Sequence, residues 1–158
     1  MSKELYPIRA REMSDHRSHE SKPPSSAPGK FYADLDFEIK FFEALVAESP
    51  DYLDALIPLA ESYTQRGHYQ KGLETDIKIC QLRPNDPVCH YNLACSLSLL
   101  GRLTESLAGL EQSLALGYDD LKHLEHDTDL TNLKKDPRLH AILQRHFPPR
   151  AGKSTNSL

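Results

Sequence analysis

The sequence predicts an all-α solenoid of stacked helix–turn–helix units, and three observations carry that prediction. Gly67 and Gly101 stand 34 residues apart, as do Pro50 and Pro84. Between these landmarks the residues recur in register: Leu59-Ala60 with Leu93-Ala94, Tyr69 with Leu103, Gly72 with Ser106, Leu73 with Leu107. A fixed period of this length marks an array in which each unit buries its apolar face only against its neighbours. Composition is the third observation. Aromatics are 8% of the chain and Trp is absent, so the core is based on Leu and Ala, as helical packing prefers.

Taken in order, residues 1–30 scatter Ser18, Ser21, Ser25, Ser26, Pro23, Pro24 and Pro28 among charges. Little there offsets the entropy of ordering, so this stretch is expected to be a disordered tail. The ordered domain should span 31–147. Its first helix, about Asp34–Glu48, repeats Leu35, Ile39, Phe42, Leu45 and Val46 at helical spacing and serves as an N-terminal cap. Phe31, Tyr32, Phe37 and Phe41 make this end aromatic, either to cover the end of the stack or to offer a surface for self-association.

The first repeat, 53–86, opens with Asp51 as the expected N-cap and runs to Gln65, with Gly67 as the stop. Pro58 predicts either a late start near Asp54 or a kink. The second helix should run from Tyr69 to Leu82. The second repeat, 87–120, enters through Asp86-Pro87, an N-cap carboxylate followed by proline at the first helical position. Its helices should span Pro87–Leu100 and Leu103–Leu116, with Gly101 and Gly117 as stops. A partial repeat and cap follow over 121–147. The run Asp127-Thr128-Asp129-Leu130-Thr131-Asn132 is turn-rich, and a last helix starts at Asp136-Pro137. Pro148-Pro149 ends it, and 148–158 is expected to be a second disordered tail.

The matched residues resemble the tetratricopeptide repeat. Leu59-Ala60 and Tyr63, then Gly67, then Tyr69 and Gly72, then Pro84 give one copy, and Leu93-Ala94, Leu97, Gly101, Leu103, Ser106 and Leu110 give another. Ile79 and Ser113 stand where the family favours alanine, Asp76 replaces a large apolar residue, and Gly117-Tyr118 replaces the closing proline region. The closing segment is similar to that of some bacterial members of the family. The resemblance implies a right-handed superhelix whose concave face is lined by the first helix of each repeat. That face would display Asp54, Ile57, Glu61, Gln65, Val88, Tyr91, Asn92, Cys95, Leu99 and Lys122. It further implies non-catalytic binding of a protein or peptide partner, as a scaffold or adaptor. A chaperone-like binder of an aggregation-prone partner and a self-associating module are the alternatives. A carboxylate clamp for chaperone C-termini finds only Asn92 and Lys122 in place; Ile57, Glu61 and His126 hold the other positions, and Glu61 would repel a carboxylate.

Charge and motifs exclude other classes. The net charge is −4, and residues 31–147 hold eleven Lys/Arg against nineteen Asp/Glu. Nucleic-acid binding needs clustered cations and is not expected. No apolar run is long enough for a membrane span, and the charged N-terminus does not read as a secretory signal. Three cysteines without a framework spacing fit a reducing, cytoplasmic setting. His123, His126, Asp127 and Asp129 lack a complete ligand spacing, and Cys89-His90 with Cys95 reads as packing, so no metal site or other cofactor is expected. No phosphate loop, dinucleotide fingerprint or nucleophile motif is present, and the chain is not expected to be an enzyme.

Overall fold

The computed structural model of the chain describes residues 28–148. The expected tails at 1–27 and 149–158 lie outside the described residues. Every regular element described is helical. Seven α-helices follow one another: α1 Pro28–Glu48, α2 Leu53–Arg66, α3 Tyr69–Leu82, α4 Pro87–Leu99, α5 Leu103–Ala115, α6 Leu121–His126 and α7 Pro137–His146. Two single 3₁₀ turns, Thr128–Leu130 and Leu133–Lys135, join α6 to α7. From α1 to α5 each helix packs against the next, while α7 and the second 3₁₀ turn pack against α5.

The helix stops are built alike. Gly67, Gly101 and Gly117 all have positive φ, at 85°, 73° and 102°. At each, the glycine N–H donates to the carbonyl three residues back and the next N–H to the carbonyl five back, as in His68 to Tyr63 (2.8 Å) and Arg102 to Leu97 (2.9 Å). This closure needs a left-handed residue, where a side chain costs about 1–2 kcal/mol. At the helix starts, the Asp86 and Asp136 side chains accept from the N–H of Val88 and Arg138, each ahead of a proline at the first helical position.

Two boundaries differ from the sequence expectation and a third agrees with it. Helix α1 begins at Pro28, six residues before Asp34, so Pro28–Lys30 belong to the helix and not to the tail. Asp51 does not cap α2; its carboxylate pairs with Lys78 at 2.6 Å, and Tyr52 occupies the cap position without a side-chain bond. Helix α2 starts at Leu53, beside the late start near Asp54 that Pro58 predicts, and carries Pro58 as an interior residue, which leaves the Asp54 carbonyl without its intrahelical donor.

Small residues set the closest approaches. Ala60 and Ala94, 34 apart, are both buried. A side chain at Gly72 would come within 3.0 Å of Thr64 Oγ1, so α3 approaches α2 there because the glycine carries none. At the matched place on α5, Ser106 Oγ donates to the Ala94 carbonyl at 2.6 Å. Leu73 and Leu107 fill equivalent core sites, each worth about 1.5–3 kcal/mol of burial. Asp76, where Leu110 sits in the second copy, is buried at the α3–α4 contact, with its carboxylate accepting from Ser96 Oγ. A buried carboxylate is tolerated when it is paired in this way.

The core is in three parts, the middle one formed by Leu56, Ala60, Ile79, Cys80 and Cys89 across α2, α3 and α4. Toward the N-terminus, Leu35, Ile39, Phe42 and Val46 of α1 share one face, and Ile39, Phe42 and Val46 meet Leu59 and Tyr63 of α2. Toward the C-terminus, twelve buried residues from Tyr91 to Ile142 join α4, α5, the 3₁₀ turns and α7 in one cluster.

Candidate functional site

The structure corrects the groove expectation on α4. Val88, Tyr91 and Cys95 were to face a partner, yet all three are buried, with Tyr91 only 1% exposed. For Tyr91 and Cys95 the cause is the segment from Tyr118 to Leu133, which folds back onto α4 and fills the place with Leu124, Leu130 and Leu133. The Tyr118 ring stacks on Tyr91 at 4.4 Å and 12° between planes. The Tyr91 hydroxyl donates to Asp127 Oδ2 at 2.8 Å, and Cys95 Sγ lies 3.5 Å from the same oxygen. Lys134 Nζ donates to the carbonyls of Glu125 and Asp127, at 2.6 and 2.7 Å, tying the turn from its other side. Burial pushes the Tyr91 phenol far above its usual range, reinforced by Cys95 and Asp127. Burial also raises Tyr118 and lowers Lys134.

The other seven expected residues remain accessible. On α2, Asp54 and Gln65 are exposed and Ile57 and Glu61 half-buried; Gln65 Nε2 donates to Glu61 Oε1 at 2.6 Å. Asn92 and Leu99 on α4 are half-buried, and Lys122 on α6 is exposed. The sequence expectation therefore stays open along α2 and is closed over most of α4.

A second concavity, which the sequence reading missed, lies between α1, α2 and α3. This cleft of about 500 Å³ has Val46, Leu56 and Leu59 among its apolar lining and Glu43, Lys71, Glu74 and Lys78 among its charged lining. Its α2 residues, Leu56, Leu59 and Tyr63, lie on a different helix face from Asp54, Ile57, Glu61 and Gln65. Tyr63 donates from its hydroxyl to Glu43 Oε1, which Lys71 Nζ also contacts at 3.1 Å. The Tyr63 hydrogen bond, with help from Lys71 and against burial, holds the Glu43 carboxyl below its usual range. Burial and the Glu43 carboxylate push the Tyr63 phenol up.

Two groupings bear on chemistry. In the first, Asp127 Oδ2 lies between Cys95 and His123, 3.6 Å from His123 Nε2. Thiolate activation requires the imidazole to contact the thiol with the carboxylate behind it. Here the carboxylate takes the middle place and the thiol is buried, so the arrangement braces the fold-back segment. In the second, Cys80 at the end of α3 meets Cys89 and His90 at the start of α4, with one ligand atom of each within 4.8 Å of the others. The sequence reading paired Cys89-His90 with Cys95 instead. The spacing of Cys80 offers no motif, because helix packing brings it there.

On α1, Phe37 is 71% and Phe41 51% exposed, one helical turn apart. No helix among the described residues is long and apolar enough to cross a membrane.

No family model matches the chain. It is 30% identical over 86 residues to a chloroplastic protein of Arabidopsis thaliana, an alignment covering 52% of this chain and 26% of that protein. The chain thus spans about a quarter of the length of the relative it matches.

Proposed function

We propose that the chain is a right-handed tetratricopeptide-type solenoid that binds a protein or peptide partner and catalyses nothing. The observation that carries this reading is the open strip on α2, where Asp54, Ile57, Glu61 and Gln65 stay accessible while their matched residues on α4 are mostly covered. The glycine closures and the buried alanines 34 residues apart support the repeat itself. The strip continues through Asn92 and Leu99, which supply an amide and an apolar contact. Its carboxylates favour a partner segment with basic residues. Three free thiols suit a reducing compartment such as the cytoplasm.

The test is capture by the full chain, comparing wild type with Ile57→Ala/Asn92→Ala. A central interface residue can carry about 2 kcal/mol or more of binding, so the double variant should capture its partner at least about tenfold more weakly. Lys135→Ala, on the second 3₁₀ turn, should capture normally. Normal capture by the double variant would dismiss the α2 strip.

A second reading, self-association through α1, is favoured by the exposure of Phe37 and Phe41. Light scattering over a concentration series decides it. A concentration-dependent mass that Phe37→Ser/Phe41→Ser abolishes supports association, and a monomer at every concentration removes it.

A further inference from the structure

We propose that Cys80, Cys89 and His90 form a Zn(II) site that clips the end of α3 to the start of α4. The three residues offer two sulfurs and one imidazole, a donor set that suits this borderline-soft cation. One ligand atom of each already lies within 4.8 Å of the others. Tetrahedral bonds of about 2.3 Å to sulfur and 2.0–2.1 Å to nitrogen place such atoms roughly 3.5–3.8 Å apart. Closing onto the metal therefore needs these separations to shrink by about 1.0–1.3 Å at most.

The surroundings are organised for it. Cys80 and Cys89 are 8% and 4% exposed, so the sulfurs are shielded, while His90 is only half-buried and leaves a water path to a fourth position. His90 Nε2 sits 2.8 Å from the Pro84 carbonyl. A backbone acceptor on one ring nitrogen is the usual device for orienting a metal-binding imidazole. Cys89 Sγ points at the carbonyls of Arg83 and Asp86, at 3.2 and 3.1 Å. Those two carbonyl oxygens disfavour a bare thiolate and favour one neutralised by a cation. On binding, both thiol protons leave to solvent, two S–Zn bonds and one N–Zn bond form, and water completes the shell. No electron transfer is involved.

The clip would join the two helices that also meet through Asp76 and Ser96. Because the site exists only in the folded chain, metal binding should stabilise it.

The test uses the full chain, reduced and freed of metal, with Co(II) as a coloured probe for Zn(II). One equivalent of Co(II) should produce near-ultraviolet thiolate charge transfer and a tetrahedral visible spectrum, and Zn(II) should bleach both. Cys80→Ser and Cys89→Ser should abolish the signal, and Cys95→Ser should keep it. His90→Gln should weaken affinity at least about tenfold, since one of three protein bonds is lost. Zn(II) should raise the melting temperature of wild type and leave that of Cys80→Ser unmoved. Should Cys89→Ser fail to fold, the half-buried His90→Gln still decides the matter. The assignment is overturned by an octahedral, thiolate-free Co(II) spectrum, by equal loss in Cys95→Ser, or by undiminished affinity in His90→Gln.

Discussion

Ile57 and Tyr91 stand 34 residues apart at matched places on α2 and α4, as do Glu61 and Cys95. Ile57 and Glu61 remain half open, whereas Tyr91 and Cys95 are enclosed at 1% exposure each. Helix geometry cannot account for this, because the helices share their glycine stops and their buried alanines. What differs is what comes next along the chain. The segment after α5 carries Tyr118, Leu124, Leu130 and Leu133, and these need a surface to bury against. The α4 face supplies it. The two halves also differ in attachment. Polar and ionic bonds help hold α1 on α2 and α3, such as Arg66 of α2 to Asp36 at 2.7 Å and Lys71 of α3 to Glu43 at 3.1 Å. The C-terminal segment is held by packed rings and leucines around a shielded carboxylate. Ion pairs open to solvent are weakened by screening, so the C-terminal closure should be the firmer of the two.

The largest expected effect tests that difference directly. Tyr91→Ala removes a buried ring, its stack on Tyr118 and the donor to Asp127, and should cost about 3–5 kcal/mol. Ile57→Ala at the matched place should cost less than about 2 kcal/mol, because its side chain is only half withdrawn from water. Denaturant midpoints of the two variants check the ordering. Hydrogen exchange should show amides near Leu124 and Leu130 losing protection in Tyr91→Ala alone. Equal costs would mean that the fold-back segment contributes nothing special.

Next comes the crossing shared by both halves. Ala94→Phe should cost about 1–3 kcal/mol by overpacking, since Ala94 has no exposed surface and Gly109 and Ser106 lie against it. Ala60→Phe should cost a similar amount if the 34-residue spacing reflects equivalent packing. A melting temperature unchanged by either substitution would break the equivalence.

These matched sites also show what could be read from the sequence. Gly67, Gly101, Gly117, Asp86-Pro87 and Asp136-Pro137 act within a few residues of themselves, and the ends of α2, α4 and α5 and the starts of α4 and α7 fall within one residue of the positions they predict. The buried alanines were legible because they repeat in register. The covered face of α4 was not, because Tyr91 meets Tyr118 and Asp127 through contacts 27 and 36 residues long that follow no period. The same reason hid Cys80 beside Cys89. Asp51 shows a local signal overruled, since its carboxylate bonds Lys78 across the α2–α3 pair instead of capping its own helix. The cleft beside Glu43 depends on how α1 settles against α3, which no spacing announces.

The smallest effect is a pH dependence that should divide the halves. Glu43 has its carboxyl held below the usual range, chiefly by the Tyr63 hydroxyl. A folded pKa below the unfolded one means that its stabilisation is complete above the unfolded pKa and is lost as pH falls through the folded one. As pH falls below the ordinary glutamate pKa of about 4.3, the docking of α1 should therefore weaken. The Glu43 side chain is 38% exposed, so solvent screening keeps the loss below about 1 kcal/mol. Tyr63, Tyr91 and Tyr118 are shifted the opposite way, upward. Their contribution is complete below the unfolded tyrosine pKa and declines only in alkali above about pH 10, where two of the three lie in the C-terminal closure. Hydrogen exchange should accordingly show α1 opening first in acid, and Glu43→Gln should flatten that acid dependence. Acid opening that begins at Leu124 and Leu130 would place the weaker attachment at the other end of the molecule.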